Sequence, residues 1–325
     1  MRAARIFLAR LAAAVPTLVL VALGVFVLIE AAPGDAADAY LAQTGGDADF
    51  AAALRQRFSL GGGVAERLTR FAGHLATGDF GISLVFNRPV AEVITERLPV
   101  TLLLMAGAIA LASGVGGALG LYAGARPGGL RDRAVSAGAL TLLAMPSFWL
   151  ALILVLTFSV RLQWLPVSGL RNIGVPTGAG AAALDMAAHL ILPVLALAAG
   201  YIALYMRTLR AGMVEQWRSP HVRAAQARGL PQASIVWRQV ARPALLPVVV
   251  LLGQQAGTLF GGSVVIETVF GIPGMGRLAY EAVAGRDTLL VAGVVLGGAC
   301  VVILVNLVAD LTLTRLDPRI GVADA

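Results

Sequence analysis

Hydrophobic and polar positions along this chain fall into long blocks rather than short alternations. Six runs lack Asp, Glu and Arg altogether: Leu11–Ile29, Leu98–Ala125, Ala134–Val160, Met186–Met206, Pro243–Ile266 and Thr288–Ala309. A helix needs about 20 apolar residues to cross a bilayer, and each run is close to that length or longer. The pattern predicts an all-α integral membrane protein with about six transmembrane helices. The blocks also set the organisation. Residues 1–31 hold a basic start and the first helix, and 32–97 form a long external segment between helices one and two. Residues 98–313 supply five further helices, with a polar loop at 207–242, and 314–325 form a tail. Within the external segment, Phe50–Phe58 and Val64–Leu75 carry helical patterning. Gly116-Gly117 and Gly261-Gly262 suit close helix packing in lipid. Pro146 and Pro193 lie inside runs and predict kinks.

Composition agrees with this pattern. The chain is 58% hydrophobic and 13% charged, with a mean hydropathy of +0.83, whereas soluble domains carry about 25% charged residues. The net charge is +7, and all 25 basic residues are Arg. A chain without Lys cannot build the phosphate-binding loop of an ATPase, whose Lys reaches the β/γ-phosphates, or a Schiff base. Cys300 stands alone, so no disulfide forms within the chain; it reads as a small hydrophobe facing helix or lipid. His74, His189 and His221 have no metal-ligand spacing. No catalytic constellation is present, and neither enzymatic activity nor a cofactor is expected. The first run, preceded by Arg2, Arg5 and Arg10, has the outline of a signal peptide. Its apolar stretch exceeds the 7–15 residues of such a segment, however, and Ala32-Pro33-Gly34-Asp35 is a poor cleavage site.

Arginine placement predicts orientation. Arg2, Arg5 and Arg10 precede the first run. Arg126, Arg131 and Arg133 lie between the second and third, and Arg207, Arg210, Arg218, Arg223, Arg228, Arg238 and Arg242 between the fourth and fifth. Both termini are expected in the cytoplasm of a multi-pass membrane protein; the Ala/Arg/Gly bias suggests a GC-rich bacterial genome, and with it the inner membrane as the location.

The most informative stretch is 219–231. Ser219-Pro220 is a helix start and Gly229-Leu230-Pro231 a helix stop. Between them lie about two turns of slim, basic helix: His221, Val222, Arg223, Ala224, Ala225, Gln226, Ala227 and Arg228. Such a rod suits insertion into a groove of a cytoplasmic partner. The competing reading is a helix on anionic headgroups, which usually carries a face of Leu, Phe or Trp. Polar residues inside the apolar runs are the other candidates, because they are costly in lipid. Gln254 and Gln255 sit near the middle of the fifth run, with Thr258 and Ser263 further along and Glu267 at its end; Asn306 and Asp310 belong to the sixth. Each reads either as a wall of a translocation pathway or as an interhelical hydrogen bond. Glu267 reads as a gate or a helix-end contact.

At the 219–231 loop the sequence resembles the permease subunits of bacterial ATP-binding-cassette (ABC) importers. Their signature, Glu-Ala-Ala, three residues, then Gly, falls on Arg223, Ala224, Ala225 and Gly229. Arg in place of Glu is similar to the peptide/nickel branch, whose loop resembles YVRTARAKGL, against HVRAAQARGL here. Pro220 and His221 depart from the residues common there, Asp and Tyr. Further landmarks follow in order: Ala32-Pro33-Gly34-Asp35, Gly78-Asp79-Phe80-Gly81, Glu96-Arg97-Leu98-Pro99, Pro146-Ser147-Phe148-Trp149, Leu165-Pro166 with Gly169, Glu267-Thr268-Val269-Phe270-Gly271 with Pro273-Gly274 and Gly276, and Leu316-Asp317-Pro318-Arg319. They look like the first, B-type permease of the dipeptide/oligopeptide systems. The resemblance implies a type I importer fold and a homologous second permease subunit. It also implies two cytoplasmic ATP-binding subunits and an external solute-binding protein. It further implies that Arg223, Ala224, Ala225, Ala227, Arg228 and Gly229 couple the chain to the ATPases. Peptide is the expected solute, with nickel or another small solute as the alternative on the same fold. A self-powered secondary transporter would place ionisable residues inside its spans, and the six charge-free runs argue against it.

Overall fold

The computed structural model describes residues 2–31, 63–172 and 178–316. Phe50–Phe58, Ala32-Pro33-Gly34-Asp35 and Asp317-Pro318-Arg319 lie outside the described residues. Helices make up most of the described residues, which hold a single isolated bridge between Ile82 and Pro89 and no strand.

The helices follow the apolar blocks, with two informative departures. Helix α1 spans Arg2–Ala31, α2 Val64–Thr77, α3 Val90–Gly124, α4 Leu130–Ala144 and α5 Ser147–Leu154. A π-helical turn, Val155–Arg161, continues α5. Helix α6 covers Ala179–Trp217 and α7 Pro220–Ala227. Helices α8 (Leu246–Gln254), α9 (Ala256–Val269), α10 (Met275–Ala284) and α11 (Thr288–Leu316) follow. Among the described residues, Val90–Gly124, Gly180–Trp217, Gln232–Gln254 and Thr288–Ala309 are each long and apolar enough to cross a membrane. The third run is not one rod: α4 and the 147–161 helix meet at 101°. Met145 and Pro146 have extended backbones there, because Pro146 excludes the helical conformation from the residue before it. Helix α6, by contrast, runs through Pro193 without interruption. The fifth run is broken between α8 and α9, at Gln255. Helix α1 is continuous and contains the whole of the first run, Leu11–Ile29.

The chain divides into two compact units. One comprises residues 1–101 and 273–304, the other 102–272 and 305–325. In the first, α2 lies along α1, with Phe26 and Phe71 ring centroids 5.7 Å apart and Arg67 paired to Glu30. Its polar anchor is Asp287, which is fully buried. That carboxylate accepts from the Ser83 hydroxyl (2.6 Å), from the Val85 N–H (3.1 Å) and from the Leu290 N–H (3.0 Å). The Thr101 hydroxyl accepts from the Met275 N–H at 2.8 Å, capping the start of α10. Arg88 bridges Glu92 and Glu96, and the two carboxylates, Glu96 above all, push its pKa up.

In the second unit, residues 102–124 of α3 pack on α6 at glycine distance. A methyl group at Gly116 would lie 2.7 Å from the carbonyl oxygen of Ile202, and one at Gly120 2.9 Å from that of Met206. At Gly124 it would meet Met213 Sδ at 2.6 Å, and at Gly107 Val194 Cγ2 at 2.9 Å. The four-residue spacing of Gly116, Gly120 and Gly124 lines them up on one face, the small-residue seam that lets helices approach in lipid. Of the two glycine pairs read from the sequence, one member of each meets a neighbour. Gly116 and Gly262 do, the latter near Leu197, while Gly117 and Gly261 face open space.

The difference within one pair is testable. Gly116→Ala forces a shift of helix backbone and is expected to lower the thermal stability of the detergent-solubilised protein by several degrees, on the order of 1–3 kcal/mol for overpacking. Gly117→Ala, next to it in sequence, is expected to leave the melting temperature unchanged.

Candidate functional site

The polar segment after α6 folds into a short anchored rod. Ser219 takes the extended N-cap conformation with Pro220 following it, where a missing N–H does no harm. The Ser219 hydroxyl does not cap α7; it reaches back to the Gln216 carbonyl at 2.6 Å. The far end closes on Gly229, whose φ of +72° is a left-handed conformation suited to glycine. The Gly229 N–H donates to the Gln226 carbonyl (2.9 Å) and the Leu230 N–H to the Ala225 carbonyl (3.3 Å). These are the paired bonds of a Schellman stop.

Burial divides the rod into two faces. Val222 and Ala225 are fully buried and seat α7 on its own chain, against the π-helical turn Ile235–Ala241. His221 Nε2 lies 3.1 Å from the Gln239 carbonyl and adds a polar tether. Arg223, Ala224, Ala227 and Arg228 are exposed, as is Gly229. At about 100° per residue the two alanines form a central strip, with Arg223 on one side and Arg228 on the other. The six residues read from the sequence as one set therefore separate: five lie on the open side and Ala225 holds the rod in place.

The second polar group sits at the break between α8 and α9. Gln254 ends α8 and is exposed, while Gln255 occupies the break with φ −87° and ψ 0°. The Thr258 hydroxyl lies 2.6 Å from Gln255 Oε1 and 3.0 Å from the Gln255 carbonyl. Tyr201 and Tyr205 stack at 6.4 Å between centroids, and the enclosed Tyr205 hydroxyl has no partner among the described residues. Irregular backbone at membrane depth is tolerated where it is buried in protein or lines a wet cavity. Ser263 and Glu267 are fully buried; the Ser263 hydroxyl donates to the Phe260 carbonyl at 2.9 Å. The Asn306 side-chain oxygen is enclosed without a partner among the described residues.

Sequence reasoning passed over a third constellation. Asp132, at the start of α4, is 1% exposed. It binds Arg210 of α6 through both carboxylate oxygens and accepts from the Gly128 N–H at 2.8 Å. Seven residues further along α6, the Trp217 indole N–H donates to the Gly124 carbonyl at 2.8 Å. A sequence signal existed: Asp132 is the only acid in the stretch Arg126–Arg133, beside an apolar run. No group of three or more His, Cys, Asp or Glu among the described residues is arranged to hold a metal ion. His189 is 2.8 Å from the Asp185 carbonyl, and the Asp185 carboxylate accepts twice from Asn172.

Comparison with known proteins converges. Residues 116–322 match the family described as "Binding-protein-dependent transport system inner membrane component". A putative peptide permease protein of Brucella ovis is 37% identical over 92% of this chain and 93% of its own length. The di/tripeptide transport system permease protein DppB of Pseudomonas aeruginosa is 35% identical over 96% and 97%. The oligopeptide transport system permease protein AppB of Bacillus subtilis is 32% identical over 94% and 96%. With the family matched over more than half the chain and relatives aligned nearly end to end, the chain belongs to the inner membrane components of binding-protein-dependent transport systems.

Proposed function

We propose that this chain is a permease subunit of an ATP-driven importer of di- and oligopeptides, coupled to separate ATP-binding subunits through α7. The carrying observation is the two-faced rod. Val222, Ala225 and His221 hold it to its own chain, and an alanine strip between two arginines is left open. Small side chains let a groove close around the backbone, and the flanking guanidinium groups fix orientation on acidic walls. The open face lacks the large apolar side chains that a headgroup-bound helix uses. The lysine-free sequence leaves ATP binding to partners. Relatives named as permeases of peptides, di/tripeptides and oligopeptides support the solute class.

On this reading the chain pairs with a homologous permease, receives solute from an external binding protein, and keeps both termini in the cytoplasm. ATP-driven closure of the ATPases moves α7, which drags α6 on one side and the 232–254 helix on the other. Alternation between two packed arrangements opens the pathway to each side in turn. Gln254, Gln255 and Thr258, at the break between α8 and α9, line the pathway. Ser263 and Glu267 act from within the chain, bracing α9.

Two outcomes test this. In the full transporter, Ala227→Glu and Gly229→Asp are expected to cut ATP-dependent peptide uptake by tenfold or more, about 1.4 kcal/mol of coupling, with membrane insertion and melting temperature unchanged for Ala227→Glu. Ala225→Leu is expected to lower both uptake and thermal stability, because it unseats the rod from its own chain. Normal uptake in Ala227→Glu would refute the docking face. Separately, Gln255→Ala is expected to reduce uptake by less than these variants, because Gln254 and Thr258 remain at the break; uptake assays on the same membranes decide this.

A further inference from the structure

We propose that Asp132, Arg210 and Trp217 are positioning residues that make the end of α6 rigid, so that movement of α7 reaches α3 and α4 instead of being lost in a bending helix. The inference rests on the coupling role proposed above. Only Arg218 and Ser219 separate α6 from α7, so any displacement of the rod enters α6 at Trp217. An unsupported helix end frays, because its last four carbonyls have no partners within the helix.

Here the end of α6 is fastened twice on one face. Arg210 and Trp217 are seven residues apart, two helical turns, and continue the stripe Ile202, Met206, Leu209 and Met213 that packs on the glycines of α3. Trp217 holds the Gly124 carbonyl at 2.8 Å, and Gly124 is the last residue of α3. Arg210 holds Asp132, in the first turn of α4, with the Nη2 contact at 2.8 Å. Asp132 in turn gathers the turn between α3 and α4 through the Gly128 N–H at 2.8 Å, and accepts from the Ser136 hydroxyl of its own helix at 3.3 Å. Gly128 has a φ of +82°, so the loop is folded back onto the carboxylate. One buried acid thus joins α4, the turn before it and α6, while Trp217 ties α6 to the end of α3. The guanidinium contacts both carboxylate oxygens, a planar fork that sets angle as well as distance. An ammonium at the same place would keep the charge and lose that geometry.

The test uses the complete transporter, with its ATPases and binding protein, in liposomes. Uptake and ATP hydrolysis are measured together, alongside the melting temperature of the complex. Arg210→Lys and Trp217→Phe are conservative enough to fold, and Asp132→Asn completes the set. The expected result is that peptide imported per ATP hydrolysed falls about tenfold in Arg210→Lys and Asp132→Asn and less in Trp217→Phe, while hydrolysis continues near the wild-type rate. An unchanged ratio in all three variants, whether uptake and hydrolysis stay normal or fall together with the melting temperature, would reduce the cluster to a structural role and overturn the inference. Absence of ATP-dependent uptake in the wild-type complex would instead refute the permease reading.

Discussion

The contact between α3 and α6 is set by backbone rather than side chains, and much of the second unit follows from it. At Gly116 and Gly120 the space for a β-carbon is already occupied by carbonyl oxygens of α6. Lipid offers no hydrophobic drive for helix association, since hydrocarbon surrounds the helices whether or not they pair. Dispersion at close range must hold them, and it falls away over fractions of an ångström. The glycine seam meets that requirement along the helix pair. Where it ends, at Gly124, polar bonds from Trp217 and Arg210 take over.

The irregular backbone makes physical sense against that rigid pair. Pro146 turns the third run through 101°, and the fifth run opens at Gln255, where Thr258 hydrogen-bonds the side chain and carbonyl of the break. Helix interruptions at membrane depth need partners for the freed backbone groups. In transporters such discontinuities are where solutes and ions are handled. The proposed pathway residues cluster at this opening, while Ser263 of the same run and Glu267 just past its end are closed off inside the chain.

Much of this was legible in the sequence because lipid imposes long, charge-free blocks. All six runs emerged as helical segments, and Pro220 and Gly229 marked the ends of α7. The bend at Pro146 was also readable; the continuity of α6 through Pro193 was not, since both prolines send the same local signal and packing decides between them. Gly253 and Gly257 flank the break at Gln255, yet glycines are common throughout these runs, where they serve close helix packing, so the pair does not by itself mark a break. Which alanine of α7 faces inward depends on where the Ile235–Ala241 turn lies, so Ala225 could not be told from Ala224. Asp132 escaped notice because its partner is 78 positions away, a pairing that no local pattern encodes.

The central claim is that α7 is gripped by an ATP-binding subunit, and site-directed cross-linking tests it most directly. Position 224, on the open alanine strip, would carry the sole cysteine in a Cys300→Ser background, with the complete transporter kept in its native membrane. A short photoactivatable cross-linker attached to this thiol should join the position to an ATP-binding subunit, with a yield that changes when ATP is added. Cross-links that reach only phospholipid, with or without nucleotide, would contradict the account.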